Sequence, residues 1–77
     1  MYDLGSMFKK IRLEKSFTQK QVATGIGVAE RQYQYYEYGK KTPSALILIA
    51  LADYFDVSLD YLVGRSDNPS RDVTLNP

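Results

Sequence analysis

The sequence contains neither cysteine nor histidine. Without them the chain cannot form disulfides, the usual zinc sites or a thiol nucleophile, and it lacks the commonest general base. No apolar run is long enough to cross a bilayer, and the N-terminus lacks the basic-then-apolar order of a signal peptide. These absences predict a soluble, cytoplasmic protein with no cofactor, no metal, no membrane partner and no evident small-molecule substrate.

Charge is nearly balanced over the 77 residues but unevenly distributed along them. Residues 1–41 carry eight Lys or Arg against four Asp or Glu, whereas residues 42–77 carry two against five. A positive half can attract a polyanion to one face of a small domain. Because such asymmetry also arises by chance, charge alone leaves nucleic-acid binding open.

Residues 19–38 have the spacing of two short helices joined by a tight turn. Ala23 supplies a small side chain where crossing helices touch, and Gly27 can adopt the left-handed conformation that the turn requires. This pattern predicts a helix-turn-helix and indicates DNA as the partner. The inward positions follow at the three-and-four spacing of an apolar helix face: Val22, Ile26, Val28, Tyr33 and Tyr36.

Capping signals predict five helices along the chain. The first covers about residues 3–15, and Thr18 with Gln21 forms a capping box that begins the second. The third covers about residues 29–38 and starts at Ala29, whose side chain cannot accept a capping hydrogen bond. In the predicted fourth helix Thr42 serves as the cap with Pro43 near the first turn, and the helix ends near Phe55. Ser58 caps a short last helix that continues through Val63.

Short motifs follow one another in order between Leu4 and Gly64. They are Ile11-Arg12, Thr18-Gln19, Val22-Ala23, Gly27-Val28, Glu37 with Gly39, Thr42-Pro43-Ser44, Leu51-Ala52 and the run Val57–Gly64. This series resembles the lambda-repressor-like (Cro and phage-repressor, XRE-type) DNA-binding domains. The resemblance implies an all-α, compact five-helix domain over residues 1–64, with the helix-turn-helix at helices two and three. Residues 65–77 are polar and are expected to form a tail or linker.

The same resemblance implies sequence-specific binding of double-stranded DNA in transcriptional control, with promoter occlusion by a repressor as the simplest mechanism. The third helix would enter the major groove. Arg31 can bridge guanine O6 and N7, and Glu30 can accept from a cytosine amino group or simply complement the helix dipole. The expected base-reading residues are Ala29, Glu30, Arg31, Gln32, Gln34 and Tyr35. The expected phosphate contacts are Arg12, Thr18, Gln19, Tyr38, Lys40 and Lys41, with Lys9, Lys10, Lys15 and Lys20 as weaker candidates.

Two further sets of residues concern stability and assembly. By resemblance, Arg12 and Glu37 form a partly buried ion pair between the first helix and the end of the third. The fourth helix carries a second apolar side besides the inward set Leu48, Leu51, Ala52 and Phe55. Helix-turn-helix proteins commonly pair to read two half-sites about 34 Å apart. We therefore expect a homodimer surface at this second side: Leu46, Ile47, Ala50 and Tyr54.

Alternatives remain open at this point. The chain could be an antitoxin-like or adaptor module that holds another protein against the apolar side of the fourth helix. Its tyrosines could stack on single-stranded nucleic acid, although a helix presents them rather than a sheet or groove. An enzyme would have to rely on Asp53, Asp56 and Asp60 to gather a divalent metal. Helix caps and solvated surface explain these carboxylates better, so no enzymatic activity is expected.

Overall fold

The computed structural model describes residues 3–71, and the predicted tail beyond Arg71 lies outside this range. Within it the chain forms five α-helices and no strand, which confirms the predicted all-α class. None of these helices combines the length and apolar character needed to cross a membrane. The helices are α1 (Leu4–Glu14), α2 (Gln19–Ile26), α3 (Glu30–Tyr38), α4 (Ala45–Phe55) and α5 (Leu59–Leu62).

Side-chain caps fix the starts of four helices. At α2 the Thr18 hydroxyl accepts from the Gln21 amide at 3.0 Å, and the Gln21 side chain accepts from the Thr18 amide at 2.8 Å. These reciprocal bonds satisfy donors that a helix start otherwise leaves open. The start of α3 differs because Ala29 provides no side-chain acceptor. The residues that cap α1, α4 and α5 are Asp3, Ser44 and Ser58.

Left-handed residues end the two helices of the helix-turn-helix. Gly27 has φ +82° after α2, and Gly39 has φ +77° after α3. At Gly27 the chain reverses while its amide and that of Val28 both donate to the Ala23 carbonyl at 3.0 Å. Since residues with a Cβ are strained in this conformation, glycine at both positions favours a sharp stop.

The core forms between the five helices: α3 packs against α1 and α2, and α4 packs against α2 and α5. Tyr33 is among its largest fully buried side chains. Gly5 brings α1 directly against the end of α3, because a Cβ there would collide with the carbonyl oxygens of Tyr36 and Glu37. The remaining buried apolar residues come from every helix and from the link between α4 and α5: Phe8, Ile11, Val22, Ala23, Ile26, Tyr36, Leu51, Ala52, Phe55, Val57 and Leu62.

The segment after α5 returns to the domain. The Ser58 amide donates to the Pro69 carbonyl at 2.9 Å, so residues 65–71 pass beside the start of α5. Arg71 then pairs with Asp53 at 2.8 Å and with Asp56 at 3.5 Å. All three side chains of these pairs are substantially exposed, so each pair contributes little stability. Up to Arg71, the predicted tail is polar but lies against α4 and α5.

Candidate nucleic-acid interface

The outer side of α3 presents a row of uncommitted side chains. Ala29, Glu30 and Arg31 are exposed at the start of the helix, and Tyr38 is 63% exposed at its end. Tyr35 lies between them and is half-buried. The opposite side of the helix is buried because Tyr33, Tyr36 and Glu37 face the core. The helix therefore separates a packed face from a face that is open to a ligand.

Two residues expected to read bases, Gln32 and Gln34, make hydrogen bonds within the protein. The Gln32 side-chain amide donates to the Tyr36 hydroxyl at 2.6 Å. The Gln34 amide donates to Oε1 of Gln19 on α2 at 3.3 Å. Both glutamines are half-buried, which distinguishes them from the exposed Glu30 and Arg31.

A buried carboxylate connects the three helices behind this face. Glu37 accepts from Arg12 Nε at 2.6 Å and Nη2 at 3.2 Å, from Gln19 Nε2 at 3.1 Å and from the Tyr33 hydroxyl at 2.5 Å. The donors belong to α1, α2 and α3 respectively. In the ion pair only 11% of the Arg12 side chain and 1% of the Glu37 side chain is exposed. The pair expected from the sequence thus lies at the junction of the three helices.

Arg12, which is expected to contact a phosphate, has hydrogen-bond acceptors within the protein. Its Nη1 group donates to the Phe17 carbonyl at 3.1 Å, while Nε and Nη2 bind Glu37. Because the guanidinium is nearly buried and its three nitrogens have protein acceptors, we assign Arg12 to holding Glu37.

The surroundings change the proton affinities of the groups in this cluster. Burial opposes the charge on Glu37, but hydrogen bonds from Arg12, Tyr33 and Gln19 outweigh it, so the pKa of Glu37 is lower than usual. Burial also raises the pKa of the Tyr33 hydroxyl, and the Glu37 carboxylate beside it raises it further. The carboxylate is therefore ionised and the phenol is protonated at neutral pH.

A cleft with a basic rim runs between α1, the start of α2 and the outer edge of α3. Lys9 and Lys20 line it together with Thr18, Gln19 and Tyr38, and Glu30 at the start of α3 contributes one carboxylate to the same cleft. The start of α2 adds the positive end of the helix dipole and its first backbone amides, an arrangement that favours anions. From the sequence, both lysines were only weak candidates for phosphate contact. The signals that could have raised them are the spacing of Lys9 three residues before Arg12 and the position of Lys20 directly after Gln19.

The loop after α3 places a second basic group beside the outer face. Lys40 and Lys41 are both exposed, and Nζ of Lys41 lies 5.6 Å from the centroid of the Tyr35 ring. A cation at this distance is attracted to the aromatic face. The amides of both lysines also donate to the Tyr35 carbonyl, at 2.9 and 3.4 Å. The loop is thereby held close to the recognition side of α3.

The second apolar side of α4 is not the one that the sequence suggested. Ile47, Ala50 and Tyr54 are half-buried and pack against the core, and only Leu46 of the expected set is exposed, at 78%. The Tyr54 ring lies 4.9 Å from that of Phe17 and covers Gly25, whose missing side chain makes room for it. The outward apolar residues of α4 and α5 are Leu46, Ile49 and Leu59.

Comparison with known proteins adds the following similarities. A family model described as helix-turn-helix matches residues 8–62. The chain is 37% identical over 65 residues to the uncharacterised HTH-type transcriptional regulator YobD of Bacillus subtilis, covering 84% of this chain and 58% of YobD. It is 34% identical over 62 residues to the cryptic phage CTXphi transcriptional repressor RstR of Vibrio cholerae, covering 80% of this chain and 56% of RstR.

A solved structure shows the same fold. The P22 c2 repressor, crystallised in complex with synthetic operator 9T, superposes with a TM-score of 0.78 at 21% sequence identity. The match covers 86% of this chain and all of that one. At this identity the likeness establishes the arrangement of the helices. The chain described here spans little more than half the length of YobD and RstR.

Proposed function

The chain belongs to the helix-turn-helix family, and from that premise we propose that it binds double-stranded DNA sequence-specifically and regulates transcription, in the simplest case as a repressor. One observation carries this proposal. The outer side of α3 exposes Glu30 and Arg31 next to a cleft with a basic rim, while the inner side of the same helix is locked into the core. A rigid helix with a polar outer face matches the shape of the major groove.

We assign base reading to the start and middle of α3. Arg31 can donate two hydrogen bonds to a guanine, and Glu30 can accept from a cytosine. Ala29 and Tyr35 offer apolar contact for a thymine methyl group. Gln32, bonded to Tyr36, would have to exchange that bond for a base, so we expect it to read less than Arg31.

We assign phosphate binding to the groups that flank this helix on two sides. On one side are Thr18, Gln19 and Lys20 at the start of α2, with Lys9 of α1 across the cleft. On the other side are the loop lysines. Such contacts set the position of the recognition helix without reading sequence. The complete proposed phosphate set is Lys9, Thr18, Gln19, Lys20, Tyr38, Lys40 and Lys41.

Occlusion of a promoter requires only tight binding at one site, which a domain of this size can provide. RstR is a transcriptional repressor by name, and P22 c2 is a repressor crystallised on an operator. By analogy we propose repression for this chain, acting in the cytoplasm as a binding protein rather than an enzyme. We further propose that two copies associate through Leu46, Ile49 and Leu59, so that two recognition helices meet two half-sites.

Selection of bound duplexes from a random pool, followed by a salt series on the winner, tests this proposal. We expect one site to be enriched as an inverted repeat and its affinity to fall steeply with salt, because each neutralised phosphate releases condensed counterions. A pool that yields no preferred sequence, with weak binding that salt does not change, would overturn it. Co-purification of another protein on the α4 surface in that case would favour the interaction-module alternative.

A further inference from the structure

We propose that Gln34 is a positioning residue: its side chain orients the amide of Gln19 for a DNA phosphate and does not read a base. We infer this on the premise of the DNA binding proposed above. The observation is a chain of hydrogen bonds that starts on α3 at Gln34, crosses to Gln19 on α2 and returns to α3 at Glu37.

The first step is the orientation of the Gln19 amide. A glutamine side chain has one accepting oxygen and one nitrogen with two donor hydrogens. An ionised carboxylate only accepts hydrogen bonds, so the nitrogen of Gln19 has to face Glu37, 3.1 Å away. The oxygen of Gln19 then has to face Gln34, whose Nε2 donates to it at 3.3 Å. With both ends engaged, only one of the two flipped orientations satisfies the network.

The second step is the rigidity of the group that anchors this amide. Glu37 is held by Arg12 from α1 and by the Tyr33 hydroxyl from its own helix, both deep in the protein. Because its charge stays buried and fully hydrogen-bonded, the carboxylate provides a fixed reference point for Gln19. Gln19 lines the same cleft as Lys9 and Lys20, and its nitrogen carries a second donor hydrogen besides the one directed at Glu37.

The third step is the location of Gln34 on its helix. It lies four residues after Glu30 and three before Glu37, so it occupies the edge of α3 that faces α2. Arg31 is farther round the helix, on the outer face, and is exposed, whereas Gln34 is half-buried. The side chain proposed to bind the phosphate, Gln19, is therefore hydrogen-bonded to the helix proposed to read the bases.

A double-mutant cycle on DNA affinity tests the proposal. We compare the wild type, Gln34→Ala, Gln19→Ala and the double variant on the selected duplex and on its single base-pair variants. Gln34→Ala should weaken binding to every duplex alike, by about threefold to tenfold for a lost hydrogen bond. In the Gln19→Ala background the same change should have almost no further effect. The positioning role would be overturned if Gln34→Ala altered the preference at one base pair. It would also be overturned if the fold-changes in DNA affinity of the two single variants multiplied in the double variant.

A measurement without DNA separates this inference from the proposed function. In NMR spectra of the free protein, the side-chain NH2 resonances of Gln19 should shift and broaden in Gln34→Ala. Gln32→Ala serves as the matched control, since Gln32 bonds to Tyr36 and not to Gln19. Unchanged Gln19 resonances in Gln34→Ala would refute the positioning role even if the wild type binds DNA. A response of these resonances without any DNA binding would instead refute the proposed function, and the positioning role with it.

Discussion

At Glu37 a single buried carboxylate receives four hydrogen bonds from three side chains, each on a different helix. Isolated burial of such a charge would be strongly unfavourable, whereas a buried charge with donors on every side is tolerated. Tyr33 is the unusual donor among these three side chains. An apolar residue at this core position would pack equally but could not donate a hydrogen bond to Glu37. Its hydroxyl gives the carboxylate a donor that the ion pair alone does not supply.

The first prediction concerns acid stability. The pKa of Glu37 in the folded protein is lower than the value of about 4.3 in the unfolded chain. The ionised carboxylate therefore contributes fully to the free energy of unfolding above pH values near 4.3, and this contribution is lost as the pH falls through the pKa of the folded state. Glu37→Gln should therefore destabilise the domain at neutral pH, by about 3–5 kcal/mol for a broken buried pair. The difference from the wild type should shrink in acid. Urea unfolding measured from neutral pH to strongly acidic pH checks this.

Glu14→Gln is the matched control for the acid experiment, since the Glu14 side chain is 57% exposed on α1. It should leave the pH profile almost unchanged. If Glu37→Gln does not fold at all, Tyr33→Phe provides the same test in milder form, because it removes one of the donors that lower the pKa of Glu37. A wild-type profile that stays flat in acid would contradict the role of Glu37.

The second prediction concerns sequence reading by one side chain. Arg31→Ala should relax the preference at one base pair per half-site and cost about 1–3 kcal/mol of discrimination, because a bidentate contact to guanine is lost. Competition binding with single base-pair variants of the selected duplex measures this. Arg65→Ala is the control, as Arg65 is an exposed arginine after α5 and is not part of the proposed interface. Uniform weakening on all duplexes would show that Arg31 contacts phosphate instead.

Among the elements, α3 is distinctive because its start has no side-chain cap. Ala29 has the extended backbone of an N-cap residue, with φ −67° and ψ +149°, but offers no acceptor to the first helix amides. Packing therefore holds the helix, chiefly through Tyr33, Tyr36 and Glu37 on its inner side. Open amides at the end that would enter the groove also favour a nearby phosphate.

The third prediction follows from this missing cap. Ala29→Ser should raise the free energy of unfolding by about 1 kcal/mol, because the new hydroxyl can accept from an amide in the first turn of α3. Thermal or urea unfolding of the free protein measures the gain. Ala45→Ser is the matched control, since Ser44 already caps α4 through the Ile47 amide and a second serine adds no cap. Equal stabilisation by both changes would contradict the explanation.

For the whole molecule, the two halves of the charge distribution have separate locations. The lysines that line the cleft and the loop lie on α1, at the start of α2 and after α3, whereas Asp53 and Asp56 lie at the end of α4 and are paired with Arg71. A polyanion is attracted to these lysines. The exposed apolar residues of α4 and α5 are left for contact with a protein, which we propose is a second copy.

The fourth prediction concerns this association. At micromolar concentration the wild type should sediment as a dimer, and the double variant Leu46→Glu with Ile49→Glu should sediment as a monomer. Like charges brought together on two apolar surfaces oppose association. Leu13→Glu is the control, since Leu13 is 56% exposed on α1 and is not part of the proposed surface. A wild type that remains strictly monomeric on and off DNA would contradict the proposal.

The sequence determined the elements and the family. Helix starts at Thr18 and Ser58 and the sharp turn at Gly27 depend on local chemistry, so each could be read from a few neighbouring residues. The start of α4 lies after Pro43 instead of before it, because Ser44 accepts from the Ile47 amide. The buried positions of Tyr33 and Tyr36 were also predicted locally, because residues three apart lie on the same face of a helix.

Only the tertiary structure decided which side chains are free. Gln34 and Arg12 form hydrogen bonds to partners distant in sequence, Gln19 and Glu37, which spacing along a single helix does not reveal. Tyr54 turned inward because Gly25, on another helix, leaves space beneath its ring. Local spacing defines which face of a helix a residue occupies. The residue that it contacts on a neighbouring helix depends on how the helices pack, and this packing is a property of the folded chain.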